Sequence, residues 1–154
     1  RLSLAYDFPD ADGLFGEIET RLAQLRRSLA APLRERLHGV GVAAPLSLGG
    51  WQELLGVAPQ QAAKWADIDI RARVAAMTEL PVHFVKDTAA ACVAELVAGR
   101  GRSIRSFLYV FVDTFIGGGL VLDSHLRGGV HGNAGAVGSM PLGRASAGGH
   151  ERPA

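Results

Sequence analysis

The chain has 154 residues, of which 48% are hydrophobic and 20% are charged, and its formal net charge is +1. This length and balance suit one globular domain with a buried core, and the charge gives no reason for general attraction to nucleic acid or membranes. The single cysteine, Cys92, excludes an internal disulfide and a zinc site built from thiolates. Because no apolar run reaches the ~18 residues of a membrane span, we expect a cytoplasmic protein.

The first predicted element is an amphipathic helix over residues 14–30, where apolar side chains are spaced by three and four. Asp10 and Asp12 are its candidate caps, and Pro32 limits its length. The short apolar run HGVGVAAP, residues 38–45, predicts a buried strand that ends in a loop.

The middle of the chain alternates between predicted loop, helix and strand. Glycines and a proline favour a loop over residues 47–59, with room for one turn of helix, and helical spacing returns over residues 69–77. A strand, VHFVK, follows Pro81, and the alanine-rich residues 88–98 predict a well-buried helix. Within that helix, Cys92 is expected to be a small core residue.

The last third is predicted to hold two strands, a glycine-rich segment and a tail. β-branched and aromatic side chains predict strands over residues 106–112 and 120–122. Residues 128–138 are expected to form a loop or short helix, and residues 143–154 a flexible tail. Strands that first alternate with helices and then pair with each other favour an α/β sheet covered by helices.

Asp87 lies where the strand VHFVK gives way to the alanine-rich helix, and two roles are open for it. Ligands gather at the carboxyl ends of strands in open α/β sheets, where a carboxylate can act as general base toward a hydroxyl. An aspartate at such a junction is also a common helix N-cap. The residues alone favour the cap.

The stretch from Asp113 to Gly119 places the glycines Gly117–Gly119 between two apolar runs. Glycine lets backbone N–H groups approach an anion closely, so this stretch could cradle a phosphate. No Gly-Lys-Ser/Thr follows it, however, as a P-loop requires. A tight hairpin turn at Gly117–Gly119 is therefore the favoured prediction.

A third candidate is HGNAGAVGSMP, residues 131–141, in which glycine recurs every third residue. Asn133 is its main polar side chain, and an amide can bond a sugar hydroxyl both as donor and as acceptor. The same side chain can also simply close a turn. His125 and His131 are expected to be exposed surface residues.

These stretches, in this order, resemble the ROK family of sugar-responsive repressors and sugar kinases over residues 39–142. GVGVAAP is similar to a family strand that ends in Pro-Gly, KWADIDI to its tryptophan segment, and LPVHFVKDTAAACVAELVAGRG to its Asn-Asp-Ala-Asn-Ala-Ala-Ala stretch. The run VDTFIGGGLVLDSHLRGGVHGNAGAVGSMPL carries the most specific match. The resemblance implies an actin-like, ribonuclease-H-type α/β lobe over residues 1–142, incomplete because the first strands and a second lobe lie outside the chain.

The resemblance assigns roles around the sugar, and this sequence departs from the family at most of those positions. Asp87 falls at the catalytic base of family kinases, whereas Lys86 replaces an asparagine that binds sugar. Ala136 and Ser139 replace a glutamate and a histidine that hold the sugar, and that histidine is a zinc ligand in many members. The implied sugar-site equivalents are Lys86, Asp87, Asn133, Ala136 and Ser139, with no metal ligand expected.

The family phosphate loop, Gly-Thr-Gly-Ile-Gly, corresponds to Asp113-Thr114-Phe115-Ile116-Gly117 in this sequence. The carboxylate of Asp113 would repel a nucleotide phosphate, and the ring of Phe115 would crowd it. The implied phosphate-loop equivalents are Asp113, Thr114, Gly117, Gly118 and Gly119.

Two functions follow from the resemblance. The first is the sugar-effector core of a ROK-type transcriptional regulator without kinase activity. It would need no cofactor or zinc, would bind a sugar or sugar phosphate, and would contact DNA only through a domain outside the chain. The alternative is an ATP- and Mg²⁺-dependent kinase of a hexose or amino sugar, with Asp87 as its base. Under either we expect a homo-oligomer, and a lobe that serves only for association is a third hypothesis.

Overall fold

A computed structural model describes residues 1–5, 9–46 and 56–140. The chain divides into two units, Arg1–Phe84 and Val85–Ala154. The helices are α1 (Ala11–Ser28), α2 (Ala31–Arg34), α3 (Pro59–Ala66), α4 (Ile70–Ala75) and α5 (Asp87–Ala98). The strands are β1 (Val40–Ala44), β2 (Val82–Lys86), β3 (Phe107–Val112), β4 (Ile116–Leu122) and β5 (His125–Arg127), and short 3-10 turns cover Arg100–Arg102 and Val137–Ser139.

Helix α1 begins where the sequence predicts. Asp10 is its N-cap, since the Asp10 carboxylate accepts the Gly13 N–H at 3.0 Å, and Asp12 lies in the first turn. The helix ends at Ser28, before Pro32, which sits in the first turn of α2 instead. Proline is tolerated there because the N–H groups of a first turn have no intrahelical partner.

The core of the first unit forms around two aromatic rings. Phe15 and Trp65 are buried, and their ring centroids lie 5.8 Å apart. The Arg73 guanidinium lies 4.9 Å from the centroid of the Phe15 ring, and the Trp65 indole N–H donates to the Pro9 carbonyl at 2.9 Å. The partly buried hydrophobic side chains packed against this core are Leu14, Ile18, Val40, Val42, Ile68, Ile70 and Met77.

Helix α3 begins at the last residue of the predicted loop, residues 47–59. Residues 47–55 of the predicted loop lie outside the described residues, but Pro59 opens a helix that buries Trp65. Helix α4 confirms the helix predicted over residues 69–77 and is capped by Asp69, which accepts the Ala72 N–H at 2.9 Å. Strands β1 and β2, both predicted, form a two-stranded sheet.

The cap of α1 makes the stability of the protein depend on pH. The Gly13 N–H, followed by the Lys64 ammonium at 2.9 Å, lowers the pKa of Asp10 below its usual 3.8. Stabilisation by the charged carboxylate is therefore present above that usual pKa and is lost as pH falls through the lower, folded-state value. Asp10→Asn keeps a capping oxygen but removes the charge.

We expect Asp10→Asn to be less stable than wild type at pH 6 and to approach it as pH falls toward 2. Chemical denaturation across that range measures the difference, with Glu19→Gln on the exposed part of α1 as the control. A constant offset at every pH would contradict the assignment, because a neutral side chain cannot reproduce a titrating one.

The second unit packs α5 on an antiparallel sheet in the order β3-β4-β5. Tyr109 pairs with Gly119, and Phe111 pairs with Gly117. Cys92 of α5 is fully buried, as predicted, and burial raises the pKa of its thiol. None of the helices in the described ranges is long and apolar enough to cross a bilayer.

Strand β4 corrects two predictions. It starts at Ile116 and not at residue 120, and it contains all three glycines, so a hairpin turn at Gly117–Gly119 is wrong. The chain reverses earlier, at residues 113–115, between Val112 and Ile116, which face each other in the ladder. Strand β5 was not predicted. Residues 128–138, expected to be a loop or short helix, form a loop that leads into the 3-10 turn Val137–Ser139. The predicted tail, residues 143–154, lies outside the described residues.

Candidate functional site

The candidate site begins at the junction of β2 and α5. Lys86 is the last residue of β2 and the N-cap of α5, with an extended backbone, while Asp87 is the first helical residue. The cap predicted at Asp87 is thus wrong by one position. The Asp87 carboxylate still serves the helix start, because it accepts the N–H of Thr88 at 2.7 Å.

Two predicted site residues far apart in sequence come together. The Lys86 ammonium donates to the Asn133 side-chain oxygen at 2.9 Å. Lys86 is half-buried and Asn133 is exposed. This bond uses the side-chain oxygen of Asn133 as the acceptor, since a lysine ammonium can only donate.

The loop that carries Asn133 lies directly on strand β4. A Cβ at Gly135 would collide with the Gly118 carbonyl and would lie 2.8 Å from the Gly119 nitrogen. Ala136 donates its N–H to the Asn133 carbonyl at 3.1 Å and is half-buried, whereas Ser139 is exposed at the end of the following 3-10 turn. Glycine at position 135 therefore permits the close backbone approach that holds Asn133 in place.

Two backbone N–H groups of the turn between β3 and β4 are hydrogen-bonded within the turn itself. The Asp113 carboxylate accepts the Thr114 N–H at 2.7 Å, and the Asp113 N–H donates to the Phe115 carbonyl at 3.3 Å. A phosphate-binding loop needs such N–H groups directed at the anion. Here two of them are engaged within the turn, and a carboxylate occupies one end of it.

Two glycines of β4, Gly117 and Gly119, are buried under α5 and not open to a ligand. A Cβ at Gly117 would lie 2.8 Å from the Thr88 methyl carbon, and a Cβ at Gly119 would lie 2.5 Å from the Cys92 Cβ. Glycine is needed at these two positions because any larger residue would collide with α5. Close packing of α5 on the sheet accounts for them without any bound phosphate.

Thr88 is a residue of this site that the sequence did not single out. It is 6% exposed, and its hydroxyl has no hydrogen-bond partner among the described residues. The sequence did carry a signal for Thr88, because it is the only residue with a hydroxyl side chain in the alanine-rich helix. Its burial beside Gly117 arises from tertiary packing, which the local sequence does not encode.

The two histidines flagged in the sequence lie outside this cluster of contacts. His125 and His131 are both exposed, as predicted, and a ring nitrogen of His125 lies 2.7 Å from the Asp123 carbonyl. Within the described ranges, no three His, Cys, Asp or Glu side chains are grouped so that they could hold a metal ion.

Comparison with known proteins assigns the chain. Residues 16–150 match the ROK family model. The chain belongs to the ROK family. It is similar to the xylose repressor of Bacillus subtilis, at 28% identity over 69% of this chain and 27% of the repressor. It is also similar to the N-acetylmannosamine kinase of Haemophilus influenzae, at 31% identity over 52% of this chain and 27% of the kinase.

A solved structure places the ROK chain in its fold. A ROK family glucokinase from Streptomyces griseus, in complex with glucose and AMPPNP, matches 87% of this chain and 40% of its own length, with a TM-score of 0.63 at 23% identity. The chain is therefore a partial, mixed α/β version of the actin-like ATPase fold. It spans about a quarter of the length of the curated relatives it matches.

Membership of the ROK family accommodates both functions expected from the sequence, since the similar proteins include a repressor and a sugar kinase. The choice between them depends on the site residues of this chain. Sugar binding is a general property of the family.

Proposed function

We propose that this chain is the sugar-effector core of a ROK-type transcriptional regulator and that it does not transfer phosphate. The observation that carries the proposal is the turn at Asp113, whose N–H and that of Thr114 are engaged within the turn. An ATP phosphate would find fewer donors there and would meet a carboxylate. The turn at Asp113 therefore fits the phosphates of ATP poorly.

The energies of charge repulsion and of lost hydrogen-bond donors indicate a large loss of phosphoryl transfer. Two unit charges 4 Å apart near a protein surface interact by about 4 kcal/mol. Each lost donor to developing negative charge costs roughly 10²–10³ in rate. The carboxylate of Asp113 and the two engaged amides would act on the same phosphate, so together they would lower turnover by several orders of magnitude.

The proposal extends to partners. The effector is a sugar or sugar phosphate that contacts Lys86, Asp87 and Asn133, with Ala136 and Ser139 at the edge of the same loop. DNA is contacted by a domain outside this chain, the protein acts in the cytoplasm as a homo-oligomer, and no zinc is required because Ser139 offers a poor zinc ligand.

The test is a coupled phosphorylation assay on the intact protein with glucose, xylose and N-acetylmannosamine, together with thermal unfolding in the presence of each sugar. We expect no ATP-dependent turnover above background and a rise in Tm with at least one sugar or sugar phosphate. Ordinary hexose turnover would overturn the proposal. No response to any sugar would favour a lobe that serves only for association.

A sugar kinase is the second candidate, favoured by the placement of Asp87. Its carboxylate stands at the carboxyl end of a strand and the start of a helix, where a general base toward a sugar hydroxyl is expected. In that case the same assay would detect turnover, and Asp87→Asn would abolish it. Asp123→Asn, in the exposed β4–β5 turn, is the matched control.

A further inference from the structure

Helix α1 buries only part of its apolar stripe. In its N-terminal half, Leu14 and Ile18 pack against the core of the first unit. The stripe continues at the same spacing through Leu22, Leu25 and the C-cap residue Leu29. Of these, Leu25 is 49% exposed, and the other two are only half-buried. The C-terminal half of α1 therefore carries apolar side chains that the core of the first unit does not cover.

These three leucines line a cavity of about 610 Å³ that lies within the first unit. Its other walls come from α2, the start of β1 and the segment between α4 and β2. Further half-buried apolar side chains line those walls, namely Leu37, Val40, Met77 and Leu80. Sites for small organic molecules are concave, mostly apolar and roughly 300–1,000 Å³ in volume. The cavity thus has the size and the apolar lining of a site for a small molecule.

Three guanidinium groups stand beside this apolar lining. Arg26 and Arg27 lie in the last turn of α1, and Arg34 lies in the last turn of α2. Among the described residues that line the cavity, Glu19 is the only acidic one. The helix dipole favours cations in a last turn, but it does not account for the open apolar surface next to them.

The cavity arginines, Arg26, Arg27 and Arg34, lack the counter-charges that other cations of the first unit have. Arg21, Lys64 and Arg73 each make an ion pair with a carboxylate of this unit. No ion pair within the described ranges includes a cavity arginine. A guanidinium group pairs well with a carboxylate or a phosphate, often through two parallel hydrogen bonds. The charge complementary to this cavity is therefore negative.

We propose that the cavity binds a small amphipathic anion, a molecule with an apolar body and one carboxylate or phosphate group. The apolar body would lie against the leucines and Met77, and the anionic group would accept hydrogen bonds from the cavity arginines. The ligand binds as a single dissolved molecule. The inference goes beyond the proposed function, because this cavity and the residues Lys86, Asp87 and Asn133 belong to different units of the chain.

The experiment measures binding of straight-chain anions to the intact protein. Hexanoate, octanoate and decanoate, each below its micelle-forming concentration, vary the apolar body at constant charge. Decyltrimethylammonium keeps the body and reverses the charge, and decyl phosphate exchanges the anionic group. Isothermal calorimetry gives each Kd, and a rise in Tm shows that the folded state is bound.

Two double variants test the role of the cavity arginines. Arg27→Met/Arg34→Met removes one cavity arginine from each of the two helices. Arg36→Met/Arg102→Met removes the same amount of charge from exposed positions that do not line the cavity. Circular dichroism verifies that both variants are folded.

We expect decanoate to bind at least tenfold more tightly than hexanoate, because each buried methylene contributes roughly fourfold. Decyltrimethylammonium should bind at least tenfold more weakly than decanoate. Arg27→Met/Arg34→Met should lower the affinity for decanoate roughly tenfold or more, whereas the control variant should change it little. Tighter binding of decanoate or of decyl phosphate identifies the preferred anionic group, and either supports the inference.

Four results would overturn the inference. Binding of none of the anions would show that the cavity is closed or filled in the intact protein. Affinity that does not depend on chain length would show a plain anion surface, and equal losses in the two double variants would show general charge attraction. Binding to vesicles of phosphatidylglycerol without binding of dissolved decanoate would show a membrane surface. The sugar response tests the proposed function separately, so these results leave it unaffected.

Discussion

Gly135→Ala is expected to lower the free energy of unfolding by about 3 kcal/mol, the upper part of the range for overpacking. The added methyl would collide with the Gly118 carbonyl and would also lie 2.8 Å from the Gly119 nitrogen. Those atoms belong to the backbone of the central strand of the sheet, which cannot rotate aside as a side chain can. The loop must therefore lift from β4, and Asn133, two residues earlier, moves with it.

The measurement is urea denaturation of wild type and variant, with sugar binding as the second readout. Gly16→Ala is the matched control, because a methyl there meets nothing within 4 Å and the residue lies inside α1. In a helix interior alanine is favoured over glycine by about 1 kcal/mol, so this control should stabilise the protein. Equal effects of the two substitutions would mean that the close contact at Gly135 does not exist in solution.

The glycines of β4 illustrate what the sequence could and could not predict. Local pattern identified an apolar run, an interruption and a second apolar run, and chain reversal was correctly expected within Asp113–Gly119. The position of the turn was wrong, because glycine is read locally as a turn former. The reason for Gly117 and Gly119 is contact with Thr88 and Cys92 of α5, and such contacts between distant segments leave no local signal.

In the candidate site, too, local features were predictable and contacts between distant residues were not. Asp87 at the start of α5 was predictable, since a polar residue between an apolar strand and an alanine-rich helix marks a junction. Which residue takes the cap was not, because it depends on the backbone angles of Lys86. The bond between Lys86 and Asn133 joins residues 47 positions apart. Resemblance to the ROK family assigned both residues to the sugar site, but it did not predict that they would bond to each other.

Helix α3 was missed for a different reason. Its eight residues begin at Pro59, the last residue of the predicted loop, although proline is well suited to the first turn of a helix. Trp65 is buried by packing against Phe15 from α1, a distant part of the sequence. The amphipathic spacing predicted α1 itself, yet its most buried large side chain, Phe15, lay outside the leucine and isoleucine pattern used to predict it.

That buried ring leads to the prediction with the largest expected effect on stability. Phe15→Ala should lower the free energy of unfolding by about 3–5 kcal/mol, which includes the lost transfer of the ring from water and the cavity left behind. Phe15 is 2% exposed, contacts Trp65 and lies under the Arg73 guanidinium. Its replacement removes packing from α3 and α4 together, so neighbouring side chains cannot easily fill the space.

Two variants separate the causes of that loss. Phe15→Leu keeps most of the apolar volume and removes the cation–π contact with Arg73, so it should cost about 1–2 kcal/mol. Leu25→Ala, at a position 49% exposed on the same helix, should cost less than about 1 kcal/mol. In urea denaturation we expect Phe15→Ala to be the least stable of the three, Phe15→Leu to be intermediate and Leu25→Ala to be the most stable. If Phe15→Ala cost no more than Leu25→Ala, α1 would not pack on Trp65 in solution, and the core of the first unit would have to be assigned differently.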